Sequence, residues 1–121
     1  MQRLTRPEQF TAVLTQGRRL GGKSFLVQAQ PNDATGPRLG IIAGRRAIPK
    51  AVDRNRSKRL VREIFREYGQ ALGALDVVVL CRQLVPPGGK ALARRELTRL
   101  FAALGGGVPP SPVANRQEIK R

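Results

Sequence analysis

The chain has no histidine, no tryptophan, one tyrosine and one cysteine among its 121 residues. Without imidazole it lacks the acid–base pair common in metal-independent nucleases. The lone Cys81 excludes an internal disulfide framework and a cysteine-cluster metal site. With no histidine to activate it, Cys81 reads as a structural strand residue and not as a nucleophile. Acidic residues number eight: Glu8, Asp33, Asp53, Glu63, Glu67, Asp76, Glu96 and Glu118. None forms a tight cluster able to hold two metals about 4 Å apart, so neither catalytic nor metal-ligating residues are expected. No Walker-type or G-x-G-x-x-G loop precedes a helix, and Gly105-Gly106-Gly107 follows one instead. No run approaches the ~20 apolar residues of a membrane span. The start, Met1 to Arg6, lacks the apolar core of a signal peptide, so a cytoplasmic location is expected. Any chemistry the chain takes part in must draw its reactive groups from a partner.

What the chain has in excess is positive charge. Lys and Arg total 23 against the eight acids, a formal net charge of +15. Self-repulsion of that size disfavours the compact state and signals an anionic partner. Five of the basic residues are Lys and 18 are Arg. Arginine's planar fork pairs bidentately with phosphate and stacks on bases, which favours nucleic acid. The length suits one domain with a modest core.

Along the chain, Thr5-Arg6-Pro7-Glu8 has the form of a capping box. Phe10, Val13 and Leu14 follow at helical spacing, which predicts a helix over about 6–16. Ser24–Gln30 alternates and predicts a strand with one buried face. Asn32-Asp33 and Gly36-Pro37 are turn material, and Arg38–Ala43 is a second strand, expected to pair with the first in a hairpin. A basic loop, Gly44 to Lys50, feeds a long helix over about 51–69. Leu75–Cys81 is an apolar, β-branched central strand. After the Pro86-Pro87-Gly88-Gly89 break, Leu97, Leu100, Phe101 and Leu104 mark a last amphipathic helix. Residues 1–104 form the expected folded domain. Residues 105–121, rich in Gly and Pro, are expected to be a flexible basic tail.

The long helix is the most informative segment. At about 100° per residue, Leu60, Val61, Ile64, Phe65 and Tyr68 share one arc suited to a core. Asn55, Lys58, Arg59, Arg62 and Arg66 share another, almost purely cationic arc. Like charges one turn apart, Lys58/Arg62 and Arg62/Arg66, repel by a few tenths of a kcal/mol, about 0.2–0.5 each. Packing gives no reason for such a face, whereas a polyanion threading its phosphates between the side chains does. Glu63 and Glu67 read as solvated or salt-bridged positions, with Arg59, Arg62 and Arg66 near enough to pair with them. A DNA recognition helix normally sits in an all-helical setting, and here strands flank the helix on both sides.

These residues resemble the protein subunit of bacterial ribonuclease P. The resemblance rests on Arg38-Leu39-Gly40-Ile41, on Gly44-Arg45-Arg46, and on Ala51-Val52-Asp53-Arg54-Asn55-Arg56-Ser57-Lys58-Arg59-Leu60-Val61-Arg62-Glu63. The last segment matches the family pattern R-N-R-x-K-R-x-x-R-E at every fixed position, and the order of elements agrees over about 4–104. The resemblance implies an α+β fold, a two-layer α/β sandwich of order αβββαβα. Its sheet has four strands, so one short strand is expected near 18–24, and its crossover through the long helix is left-handed. It implies a ribonucleoprotein endoribonuclease that removes the 5′ leader of precursor tRNA. The catalyst is the RNA subunit with Mg²⁺ bound mainly by that RNA, and the protein alone is not catalytic. The partners implied are the catalytic RNA and precursor tRNA, with no membrane and no obligate protein partner.

Two surfaces carry over. The basic loop and helix, Arg45, Arg46, Arg54, Asn55, Arg56, Lys58, Arg59, Arg62 and Arg66, are expected to bind RNA. A cleft between the first helix and the sheet is expected to take the single-stranded leader at Phe10, Leu14, Phe25 and Gln28. Plain core packing is the competing reading of Phe10 and Phe25. Leu14 and Gln28 stand where the family often has aromatics, and a stacked base is worth about 1–3 kcal/mol, so leader contacts are expected to be weaker or differently distributed here. Gly44-Arg45-Arg46 replaces the more usual S-K-K and keeps its charge. The rival from another class is a ribosomal-type protein that packs rRNA and has no preference for precursor over mature tRNA.

Overall fold

The computed structural model describes residues 2–32 and 36–104. The expected tail, 105–121, and the turn residue Asp33 lie outside the described residues. The elements are β1 (Gln2–Arg3), α1 (Pro7–Gln16), β2 (Arg18–Gly21), β3 (Phe25–Pro31), β4 (Arg38–Ile42), α2 (Ala51–Leu72), β5 (Leu75–Cys81) and α3 (Lys90–Leu104). Four strands and three helices follow the expected αβββαβα order, and β2 is the short strand expected near 18–24. The two-residue β1 is an addition at the sheet edge.

The sheet runs β1-β4-β5-β3-β2. β5 pairs parallel with β4 and antiparallel with β3, so it separates the two strands expected to form a hairpin. The reason lies in β5 itself. Its residues 76–79 are buried on both faces, and only an interior position covers a strand that is apolar on both sides. β3 is likewise covered on both faces in its middle, where Val27, Gln28 and Ala29 are all buried, and not on one face as its alternation suggested.

Helices lie on both sides of the sheet, which makes it the middle of three layers and not one of two. Val77 and Val79 join the main core with Phe25, Val27 and Leu39, beneath α2 and α3. Val78, between them, packs with Leu4 and Val13 beneath α1, with Phe10 and Ile42 alongside. The period-2 alternation of β5 thus serves two separate cores. Within the main core the rings of Phe65 and Phe101 meet edge to face at 5.7 Å and 75°, an arrangement worth about 0.5–1.5 kcal/mol beyond the area it buries.

Local details adjust the expected boundaries. Pro7 occupies the first turn of α1, so Arg6 becomes the cap. Gln9 Oε1, one position beyond Glu8, accepts the Thr5 and Arg6 N–H groups at 2.9 Å each. α2 runs to Leu72 and ends at Gly73, whose φ of 72° only glycine adopts readily.

Tertiary hooks hold the strand ends. Glu96 of α3 accepts the Ser24 and Phe25 N–H groups at 2.9 Å. Buried Asp76 accepts Arg38 at 2.7 and 2.9 Å, and Asn32 Nδ2 at 2.8 Å.

Candidate nucleic-acid interface

The buried stripe of α2 is Leu60, Val61, Ile64 and Phe65, each at most 5% exposed. Ser57 extends it towards the N-terminus at 3% exposed, while Tyr68 stays 37% exposed and is not part of the core. A tyrosine can pack its ring edge and leave its polar tip in water. The opposite side carries Asn55, Arg59 and Arg66, all exposed, with Lys58 and Arg62 half-buried on the flank nearest β4.

Two carboxylates of α2, Glu63 and Glu67, are engaged from α3. Arg94 of α3 lies 2.5 Å from Glu67 and 3.7 Å from Glu63, so these acids pair across the helix–helix contact and not with Arg59, Arg62 or Arg66. Asp53 pairs with Arg56 at 3.3 Å. Among the described residues no carboxylate oxygen lies within 4.0 Å of Lys58, Arg59, Arg62 or Arg66. The charge on this crest is left uncompensated.

Two arginines expected on this surface also have structural work. Arg54 Nη1 donates to the Ile48 and Pro49 carbonyls at 2.9 and 2.8 Å, closing the basic loop onto the helix start. Arg56 Nη2 donates to the Val85 carbonyl at 3.1 Å. The loop is anchored by Ile48, fully buried, whose N–H bonds the Gly44 carbonyl at 3.0 Å. That anchor presents Arg45 and Arg46 to solvent.

On the other sheet face the expected cleft divides. Phe10 is half-buried over Gly40, and Leu14 is 39% exposed. Gln28 is 7% exposed and its Nε2 donates to the Leu14 carbonyl at 3.1 Å, so it ties α1 to β3. Phe25 belongs elsewhere. It is 0% exposed in the main core, under α2 and α3, because odd-numbered residues of β3 point away from α1. Its role is core packing, and it cannot line a cleft on the α1 face.

The sequence missed other members of this surface. Ile42, Leu80 and Leu26 share one register row on the α1 face and are half-buried beside the helix. β1 pairs with β4 only at Arg38 and Leu39. Beyond that point a pocket of about 140 Å³ brings Phe10 and Gly40 together with Arg3, Lys58 and Arg62. It joins the cationic flank of α2 to the α1 face around the open edge of β4. Arg3 joins through a pairing of the chain start with β4, for which two residues gave no pattern.

Among the described residues no group of three or more His, Cys, Asp or Glu could hold a metal, and no helix is long and apolar enough to cross a membrane. The nearest carboxylate pair, Glu63 and Glu67, is bridged by Arg94 and does not fit a cation.

Fold and surface together define a small, strongly basic α+β protein with an exposed cationic helix face that has no acidic partner among the described residues. The family model described as "Ribonuclease P" matches residues 1–105. The ribonuclease P protein component of Thioalkalivibrio sulfidiphilus is 42% identical over 113 residues, covering 93% of this chain and 90% of that one. That of Stutzerimonas stutzeri is 34% identical over 118 residues, covering 97% and 87%. The solved structure of the RNase P protein from Thermotoga maritima matches with a TM-score of 0.69 at 30% identity, covering 84% of this chain and 96% of that one. The Staphylococcus aureus RNase P protein, at 24% identity and a TM-score of 0.68 over 86% and 92%, shares the fold. The chain belongs to the bacterial ribonuclease P protein family, the protein components of a ribonucleoprotein endoribonuclease that processes tRNA 5′ ends.

Proposed function

We propose that this protein docks on the catalytic RNA of ribonuclease P through α2 and the 44–49 loop and holds the precursor tRNA leader on the α1 face. The observation that carries the reading is the diversion of Glu63 and Glu67 to Arg94, which leaves Lys58, Arg59, Arg62 and Arg66 without acidic partners among the described residues. Uncompensated cations one turn apart become favourable once phosphates lie between them and counterions are released. Arg45, Arg46, Asn55 and Arg56 extend the same surface, and Arg54 shapes it by holding the loop.

From that surface the leader would pass the Arg3–Lys58–Arg62 pocket at the β4 edge and enter beside α1. There Phe10 offers the aromatic face, while Leu14, Leu26, Leu80 and Ile42 offer apolar contact, and Gln28 fixes α1 over the sheet. With one aromatic ring, base contacts rest more on apolar surface than on stacking. The hydrolytic chemistry belongs to the RNA subunit and its Mg²⁺. The protein's charge lowers the Mg²⁺ needed to bring two polyanions together. The left-handed β4–α2–β5 crossover and a domain end near Leu104, followed by a basic tail, complete the reading.

The test is cleavage of precursor tRNA at limiting Mg²⁺ by protein alone, ribonuclease P RNA alone, and both. Cleavage only, or far faster, with both is expected. No stimulation of a competent RNA would favour a ribosomal-type RNA-packing role, and cleavage by the protein alone would contradict the assignment of the chemistry to RNA.

A further inference from the structure

α2 and the segment between β5 and α3 enclose a groove of about 360 Å³, separate from the β4-edge pocket. That volume lies at the small end of the ~300–1,000 Å³ range of ligand pockets, suited to one small ligand. Its floor is apolar, with Leu60 and Val85 buried at 5% and 8% exposure. Pro86 and Pro87 form an exposed wall. Arg56, Arg59 and Lys90 line the rim. Arg56 is held there by the Val85 carbonyl and by Asp53. α3 begins at Lys90, so the positive end of its dipole adds to the rim.

One lining residue breaks the pattern. Among the described residues Glu63 is the single carboxylate lining the groove. Arg94 reaches it only at 3.7 Å, because the same guanidinium bonds Glu67 at 2.5 Å, and Glu63 remains 39% exposed. A site for phosphate alone would need neither an apolar slot nor a carboxylate that repels its ligand. An apolar wall stacks a planar ring, cations hold a phosphate, and a carboxylate accepts a pair of N–H groups. Guanine presents two such donors side by side, N1–H and the 2-amino group, whereas uracil presents one N–H between two carbonyls.

We propose that this groove takes one unstacked guanine nucleotide of the partner RNA. Its base lies against Pro87 and Leu60, its N–H edge meets Glu63, and its phosphate meets Arg56, Arg59 and Lys90. The inference rests on the RNA-binding reading above and adds a base preference to it.

The test is a titration of the ¹⁵N-labelled full chain with 5′-GMP, 5′-UMP and inorganic phosphate, following the amides of 56–63 and 84–90. GMP is expected to shift both segments and to bind about tenfold more tightly than UMP or phosphate. Glu63→Gln should bring GMP down to the UMP level and leave phosphate binding unweakened. Equal affinities for all three probes would reduce the groove to a cationic patch and overturn the proposal, as would GMP shifts confined to other segments. Should Glu63→Gln fail to fold, Pro87→Gly on the exposed wall is expected to weaken GMP and spare phosphate, and unchanged GMP binding would overturn the proposal. Precursor cleavage with wild-type protein reports on the broader reading separately. Stimulation without a guanine preference removes only this site.

Discussion

The ring of Phe10, on α1, lies directly against the backbone of Gly40, in β4. A methyl group at Gly40 would stand 2.5 Å from Cε2 of that ring and 3.2 Å from Leu4 Cδ1. The open space at Gly40 therefore sets how closely α1 approaches the sheet. Gly40→Ala is expected to push Phe10 outward and cost about 1–3 kcal/mol of stability by overpacking. It should also reduce the preference for precursor over mature tRNA, read by comparing the two affinities in the reconstituted holoenzyme. A variant as stable and as selective as wild type would show that the ring shifts without consequence.

Lys58 and Arg62 occupy the flank of α2 that faces the β4 edge, and neither has an acidic partner within 4.0 Å among the described residues. Replacing both with Ala is expected to remove about two phosphate contacts. The slope of log K against log salt for RNA binding should flatten by about 1.4–1.8. An unaltered slope across a salt series would place the docking surface elsewhere.

Phe10 and Phe25 differ in kind despite their shared side chain. Phe25 is fully buried in the main core, and Phe10 is half-buried on the opposite face. Phe25→Ala is expected to cost about 3–5 kcal/mol in urea unfolding. Phe10→Ala should cost less stability and lose leader affinity by about 1–3 kcal/mol, the value of one stacked base. Loss of leader affinity in a folded Phe25→Leu variant equal to that in Phe10→Ala would contradict the separation of the two faces.

Glu96 closes the β2–β3 turn from α3 by accepting two backbone N–H groups. Glu96→Ala leaves both donors without this acceptor, at about 1–3 kcal/mol each for whatever part stays dry. Faster amide exchange at Ser24 and Phe25, ahead of the rest of β3, is the accompanying sign. Unchanged exchange there would mean that water replaces the carboxylate at no cost.

Burial pushes the Cys81 thiol up from 9.0 to about 11, with the positive charge of Lys58 opposing it. The unfolded chain ionises this thiol first, so the unfolded state gains as pH rises between those two values. Stability from this group is complete below about pH 9 and falls by about 2–3 kcal/mol by pH 11. The difference between wild type and Cys81→Ala in urea titrations across that window should show the fall. A flat difference would mean that the thiol meets water in the folded state.

The sequence by itself determined the local features. The 3.6-residue stripe of α2, the apolar run of β5, Pro7 in the first turn of α1 and the cationic pattern of 54–66 all arise from neighbours within one element. Periodicity reports such neighbours directly. The family pattern R-N-R-x-K-R-x-x-R-E is local in the same sense. The tertiary structure decided what depends on residues far apart in the chain. Strand pairing placed β5 between β3 and β4, where alternation in either strand was compatible with a hairpin. The same pairing fixed the face of each strand residue, which sent Phe25 to the main core and left Gln28 beneath α1, on the face that Phe10 of α1 covers. Arg94, about 30 residues beyond Glu63 and Glu67 in the chain, took both acids from the arginines of their own helix. Alternation tells which residues of a strand share a face, and only packing against a second element decides which face is buried and which meets the partner.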